Sequence, residues 1–330
     1  MIIVTGGAGF IGSNLVKTLN HRGVSDILVV DNLSNAEKIH NLSDLDIIDY
    51  MDKHEFLSAV EANKSIGPVS AILHQGACSD TMATDGKYVL ENNFTYSKKL
   101  YRYCASHKVQ YIYASSASVY GAGKVFDEEP KNESALNAYA WSKLLFDQFV
   151  RRQPAAEFQC VGLRYFNVYG SREQHKGRMA SVAWHFYNQY LENGQVQLFE
   201  GSDGYAHGEQ QRDFVSVEDV IRINLYLMDN QTISGIYNAG TGQAQSFNDV
   251  ATAVINTCRH YQGKGRTTLE QAQGDGEITY VPMPQALHGK YQSYTRASLE
   301  NLRAVGYREE FYDVEKGVGK YINELLSAQR

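Results

Sequence analysis

The chain opens on IIVTGGAGFIGSNL, residues 2–15, and this run constrains the fold more than any other. Gly6, Gly7, Gly9 and Gly12 stand between a short apolar stretch and one with helical periodicity. They satisfy G-x-G-x-x-G through Gly7, Gly9 and Gly12, and G-x-x-G-x-x-G through Gly6, Gly9 and Gly12. Glycines in such a turn let the backbone approach a pyrophosphate, and the following helix start offers N–H groups and a positive dipole end. The last glycine lets helix and strand pack closely. A plain tight turn could use the same residues, so context decides. Here a strand precedes, a helix follows, and Asp31 ends the next apolar run, ILVVD, 19 residues beyond Gly12. That is the setting of a dinucleotide-binding βαβ unit. Asp31 suits a ribose hydroxyl and so favours NAD. Lys38 and Lys53 either reach a 2′-phosphate, which favours NADP, or are solvated surface charges.

The same alternation continues. Apolar runs at 70–77, 111–116 and 160–166 read as strands, with a helical stretch from about Lys87 to Ser106 and another that carries YAWSK, residues 139–143. Strands alternating with helices imply a parallel sheet covered on both faces. After Asn167 the pattern loosens. Residues 171–211 are rich in Gly, Gln, Glu, His and Arg around one helical stretch, MASVAWHFYNQYLENG. A strand–helix reading returns at RDFVSVEDVIRINLYLM and a strand and turn at GIYNAGTG. QGKGRTTLEQAQGDGE, near 262–276, reads as a flexible loop insertion.

Tyr139 and Lys143 are four residues apart, so a helix puts them on one face. Alone, such a pair is an ordinary helical surface pair. Below a glycine loop it acquires a use: a nearby ammonium favours phenolate, and the phenol can then take a proton from an alcohol as hydride leaves for a nicotinamide. Ser116, at the end of the strand YIYASS, could hydrogen-bond the same oxygen, because ligands bind at the carboxyl edge of such a sheet.

With these pieces in hand, the chain resembles the extended short-chain dehydrogenases/reductases that act on nucleotide sugars. The resemblance runs through TGGAGFIG, LHQGACSD, YASSASVYG, YAWSK, LRYFNVYG and RDFVSVEDV, and so covers nearly the whole chain. It implies an α/β fold: a Rossmann-type doubly wound parallel sheet with a smaller α/β substrate-binding domain. We divide the chain accordingly into residues 1–166 plus 212–237 for the dinucleotide and 167–211 plus 238–330 for the substrate. VDNLSNAEKIHNL, GSREQHKGRMASVAWH, LFEGS and GKYQSYT are similar to the branch of the family that epimerises an ADP-heptose at C6.

That resemblance implies reversible oxidation at C6, with Tyr139 as acid/base, Ser116 and Lys143 in support, and Lys176 as a second acid/base for the opposite pose. From the residues alone, a phosphate-binding or surface lysine is the preferred reading of Lys176. It implies cofactor contacts at Gly6, Gly9, Phe10, Ile11 and Gly12, at Asp31, Asn32, Lys38 and Lys53, and at Gln75, Gly76, Ala77, Cys78 and Ser79. Asn92, Lys143, Val168 and Lys176 complete that set, and the two lysines near the ribose turn the expectation to NADP, with NAD possible. Gln75 stands where an acidic residue is common. Contacts to the ADP-sugar are expected from Ser116, Asn167, Arg178, His185, Phe199, Glu200, Gly201, Ser202, Arg212 and Tyr291. Arg178 could pair with the diphosphate. His185 could instead be a packed imidazole, and Arg212 could pair with Asp213 or Glu218. The family also implies self-association into a homo-oligomer, a pentamer in this branch. DGYAHGEQQ, before Arg212, looks longer than the family pattern.

The remaining features exclude more than they assign. A net charge of −6 argues against a nucleic-acid partner, because phosphate neutralisation needs clustered Lys and Arg. Four cysteines without a Cys-x-x-Cys pair, no apolar run of membrane length and no basic leader point to reduced thiols, no membrane and a cytoplasmic protein. The histidines have no metal-ligand spacing, so no metal is expected. Rival readings are a nucleotide-sugar 4-epimerase, a dehydratase, or a non-catalytic NADP-binding regulator. A dehydratase usually needs an Asp-Glu pair near the serine, and SSASV lacks it.

Overall fold

The computed structural model describes residues 1–154, 157–284 and 292–328. The first half builds strand by strand. β1 (Ile2–Thr5) leads through the glycine turn into α1 (Phe10–His21), then β2 (Ile27–Asp31), β3 (Asp49–Asp52) and α2 (Lys53–Glu61). β4 (Ala71–His74), α3 (Gly86–Leu90), α4 (Tyr96–His107), β5 (Gln110–Ser116), α5 (Ala138–Arg151) and β6 (Cys160–Tyr165) follow. Then come β7 (Asn167–Tyr169), α6 (Val182–Asn193), β8 (Val196–Phe199), β9 (Gln211–Arg212), β10 (Phe214–Ser216), α7 (Val217–Asp229) and β11 (Gly235–Ala239). The chain ends with β12 (Gln245–Ser246), α8 (Phe247–Tyr261), α9 (Leu269–Gly274), β13 (Ile278–Val281), α10 (Glu300–Ala304) and α11 (Val314–Ala328).

Seven strands form one sheet in the order β11-β6-β5-β4-β1-β2-β3, and every pairing in it is parallel. β2, β4 and β6 are buried along their full lengths, which is why they read as unbroken apolar runs. Polar residues stop and start the helices. Asp52 caps α2, Asn137 caps α5 and Ser246 caps α8 in a reciprocal capping box with Asp249. One core lies between the sheet and α1, α5 and α7, with Leu15, Val29, Ile112, Leu163 and Ile223 at its centre. A second core joins α6, α8, α11 and the parallel pair β8–β13 through Tyr187, Leu198, Val254 and Ile322. Ala297, Leu302 and Tyr307, late in the chain, pack into the first core rather than the second.

Two local expectations need correction, and one strand was not foreseen. The stretch near 262–276 is not an open loop. Thr267 is buried and exchanges hydrogen bonds with the Asn256 side chain, and α9 starts at a Thr268–Gln271 capping box. The long helix after β4 is not uniform, because a π-helical turn at Glu91–Thr95 separates α3 from α4. β3 escapes a reading based on apolar runs, since it is an edge strand of sequence DYMD whose residues are all at least partly exposed.

Candidate active site

The strand order reverses direction between β1 and β4, and a cleft opens at the carboxyl ends of those strands. Two of its glycines are obligatory. Gly6 has φ +67° and a Cβ there would lie 2.6 Å from the Gly76 nitrogen; a Cβ on Gly12 would lie 2.1 Å from the Gly6 carbonyl oxygen. The turn therefore lets α1 and the segment after β4 close on the same backbone. No side chain caps α1 at Gly9, so the helix start faces the cleft with its backbone N–H groups. This is a cradle a pyrophosphate fits.

Asp31 does more than its motif position suggests. One carboxylate oxygen accepts from Ala8 N at 2.9 Å, which ties down the glycine turn; the other accepts from Asn32 N at 2.6 Å and from Lys38 Nζ at 3.0 Å. Lys53 instead donates to Asn92 Oδ1 at 2.6 Å. Asn32, Lys53 and Asn92 line an adjoining hollow that shares Gly6, Asp31, Lys38, Gly76, Ala77 and Cys78 with the main cleft. The residues expected at the cofactor, from Gly6 through Ile11 and Gly12, Gln75–Ser79, Lys143, Val168 and Lys176, all fall on these two connected surfaces. Gln75 is held by Tyr165, whose hydroxyl donates to its Oε1 at 2.9 Å.

Ser116, Tyr139, Lys143 and Lys176 line the same cleft. Asn137 caps α5 through Ala140 N and so sets Tyr139 and Lys143 in the first turns of the helix. The electrostatics differ from the expectation of an easily ionised phenol. Burial raises the Tyr139 hydroxyl above its ordinary value, and a hydrogen bond with Ser116 draws it partly back. Lys143 donates to the Ala114 carbonyl at 2.7 Å, and burial lowers its ammonium to about 8, with Asp147 opposing the fall. Desolvation therefore outweighs the help that the helix spacing promised. In the same cleft, Lys176 Nζ sits 5.1 Å from the centre of the Phe10 ring, and burial lowers its ammonium as well, with Glu173 opposing. Burial also lowers the neighbouring His175 imidazole.

Two supporting residues were not anticipated. Asn93 accepts from Cys78 N at 2.7 Å, donates to Cys78 O at 2.9 Å and also reaches Ser142 Oγ at 2.9 Å. It lies in the π-helical turn, where an extra residue per turn rotates a side chain inward, and single-sequence periodicity gives no sign of it. His74 is fully buried between Thr5 Oγ1 (2.5 Å) and Ser97 Oγ (2.8 Å); burial lowers its imidazole to about 3, so it is neutral at pH 7.

The residues expected at the sugar nucleotide are more dispersed. His185 and Phe199 share an apolar hollow with Val182, Leu198 and Phe247, so His185 is half-buried and not part of a closed core. Glu200, Gly201 and Ser202 lie in a separate groove with Asp203, Lys124 and Tyr294. Arg212 is buried with its guanidinium 5.7 Å from the Phe247 ring centre. Of its two alternative partners, Asp213 accepts from Thr241, Gly242 and Ala297, and Glu218 pairs with Lys320. Arg178 is exposed and pairs with Asp80 at 2.7 Å, on the rim of the cofactor cleft. Asn167 is exposed on β7, and Tyr291 lies outside the described residues.

A dinucleotide cradle at the switch point of a parallel sheet, with a Ser–Tyr–Lys wall beside it, defines a class, and the chain belongs to it: residues 2–240 match the NAD dependent epimerase/dehydratase family. Within that family, the chain is 57% identical over 327 residues to a protein of Thiobacillus denitrificans named ADP-L-glycero-D-manno-heptose-6-epimerase, covering 99% of this chain and 98% of that one. It is 54% identical over 329 residues to a protein of the same name from Alkalilimnicola ehrlichii, again covering 99% and 98%. The crystal structure of Helicobacter pylori ADP-L-glycero-D-manno-heptose-6-epimerase superposes with a TM-score of 0.79 at 31% identity, covering 99% of this chain and 96% of that one. Among the described residues, no helix is long and apolar enough to cross a membrane, and no group of His, Cys, Asp or Glu could hold a metal ion.

Proposed function

We propose that the protein interconverts ADP-D-glycero-β-D-manno-heptose and ADP-L-glycero-β-D-manno-heptose by transient oxidation at C6. The observation that carries this reading is 57% identity along 99% of the chain to a relative bearing that activity as its name. The cleft suits the chemistry. The start of α1, Asp31 and the Gln75–Ser79 segment would hold a nicotinamide dinucleotide, which when bound accepts a hydride and returns it. NADP is the form we favour, because Lys38 and Lys53 stand near Asp31 and Asn92, at the end of the cleft suited to the adenosine ribose.

The residues of this chain handle the proton. Tyr139 is the acid/base at one position of the C6 oxygen, with its hydroxyl oriented by Ser116 and its anionic form stabilised by the charge on Lys143. Lys176 serves the oxygen in the opposite pose, reached by rotation about the exocyclic C5–C6 bond while the ring stays near its place. Burial lowers Lys176, which eases release of its proton. Because the hydride returns, there is no net oxidation. The ADP-sugar is read as held by His185, Phe199, Glu200–Ser202, Asn167 and Arg212, with Arg178 at the diphosphate.

The wider reading is a cytoplasmic homo-oligomer that supplies lipopolysaccharide inner-core precursor, with a dinucleotide domain of residues 1–166 plus 212–237. The motif resemblance supports it, and the separate core of α6, α8, α11 and β8–β13 supports a distinct substrate part. The test is direct. Purified protein given ADP-D-glycero-β-D-manno-heptose is expected to yield a mixture of both C6 epimers by NMR, with no accumulation of reduced dinucleotide. Recovery of unchanged substrate from folded, dinucleotide-loaded protein would overturn the assignment.

A further inference from the structure

Three residues spaced four apart on α5 meet three successive residues of β5. Tyr139 hydrogen-bonds Ser116; Lys143 donates to Ala114 O at 2.7 Å; Asp147 accepts from Ser115 Oγ at 2.9 Å. We infer that Asp147 is a positioning residue for the proposed reaction: it fixes the register of α5 against β5 and sets a carboxylate one helical turn from Lys143. The inference rests on reading Ser116, Tyr139 and Lys143 as the reacting wall.

The geometry around Asp147 is that of an anchor. The residue is fully buried; its second oxygen accepts from Tyr113 OH at 3.0 Å, and Arg164 Nε donates to the first at 3.0 Å. Arg164 also pairs with Glu133, which pairs with Arg151 near the end of α5. Three elements, β5, β6 and α5, therefore converge on one carboxylate. A buried charge with this many partners is costly to assemble and gives one arrangement rather than several. Strand β5 cannot slide by a fraction of a residue without breaking the Ser115 bond, and Ser116 is the next residue along.

Its charge acts on Lys143 one turn away. The charged and titratable groups facing Lys143 are Asp147 on its own helix, Cys78 on the segment after β4, and His74 at the end of β4. Asp147 itself faces Tyr113, Arg164 and Cys160. His74 is neutral at pH 7. Burial has already lowered Lys143 to about 8, and Asp147 is the larger of the two influences that oppose it. Loss of that carboxylate charge moves the titration to lower pH.

The test uses Asp147→Asn and Ser115→Ala in the full-length protein. Asp147→Asn is expected to lower kcat about tenfold to a hundredfold with little change in KM. In ¹⁵N-lysine NMR, a readout that needs no substrate, its Lys143 midpoint is expected about one pH unit or more below that of the wild type. Ser115→Ala keeps the charge, so it is expected to lower kcat several-fold while the Lys143 midpoint stays in place. A wild-type Lys143 midpoint in folded Asp147→Asn overturns the inference. If Asp147→Asn does not fold, Ser115→Ala decides: an unchanged kcat with an unchanged melting temperature overturns it. Failure of the wild type to epimerise an ADP-heptose would sink the functional reading alone, because the Lys143 titration stands apart from it.

Discussion

A phenol works as an acid or base near neutral pH only when its surroundings offset what burial does to it. At Tyr139 burial dominates and the Ser116 hydrogen bond opposes it, while the Lys143 ammonium is engaged by the Ala114 carbonyl. Burial therefore favours the neutral, protonated hydroxyl, and the Ser116 hydrogen bond works against it. Lys176 is placed over Phe10 in the same cleft, its ammonium lowered by burial. Tyr139→Phe is expected to lower kcat by roughly 10²–10⁴-fold, the usual contribution of a positioned acid/base. Lys176→Met is expected to lower kcat by about 10²-fold at saturating dinucleotide. Full turnover by the Lys176 variant would remove it as second acid/base and leave it a binding residue. Tyr139, Lys143 and Ser116 stand out in the sequence through spacing and strand-end position, and Lys176 only through family resemblance. Their ionisation does not, because it depends on burial that only the packed sheet creates.

Between elements, one tie is Asp213, buried at the junction of β9 and β10. Its carboxylate accepts from Thr241 N at 2.7 Å, Thr241 Oγ1 at 2.8 Å, Gly242 N at 2.9 Å and Ala297 N at 2.9 Å. It thus binds the turn after β11 and the segment before α10 to the strand that carries Arg212. Asp213→Ala strands those donors in the interior and is expected to cost about 3 kcal/mol or more. Urea unfolding checks this: the midpoint should fall with the slope unchanged, and an unmoved midpoint would show that the turn finds other partners. Elements differ in how readily they can be foreseen. β2, β4 and β6 announce themselves because burial on both faces demands continuous apolar residues. The π-helical turn that aims Asn93 at Cys78 and the short helix α9 leave no such trace, since each is decided by contacts with distant residues such as Ser142 and Asn256.

For the whole molecule, the choice of dinucleotide is the open consequence of the fold. Lys38 is neutralised by Asp31, whereas Lys53 is held by a neutral amide, Asn92 Oδ1. An anionic 2′-phosphate therefore gains most from Lys53. NADP is expected to raise the melting temperature more than NAD at equal concentration; at a hundred times Kd a ligand adds about 2.7 kcal/mol of stability. Lys53→Ala should shrink the difference, and equal stabilisation by both dinucleotides in the wild type would return the assignment to NAD. The sequence by itself determined the parallel sheet, the glycine cradle and the Ser116–Tyr139–Lys143 wall, because strand periodicity and residue spacing are local and survive without the fold. Only the tertiary structure decided that Asp31 is shared between the glycine turn and Lys38, that Asp147 gathers β5, β6 and α5, and that His185 and Glu200 lie on different surfaces. Those facts join residues far apart in the chain, and their energies come from desolvation and hydrogen-bond geometry that do not exist until the core has closed.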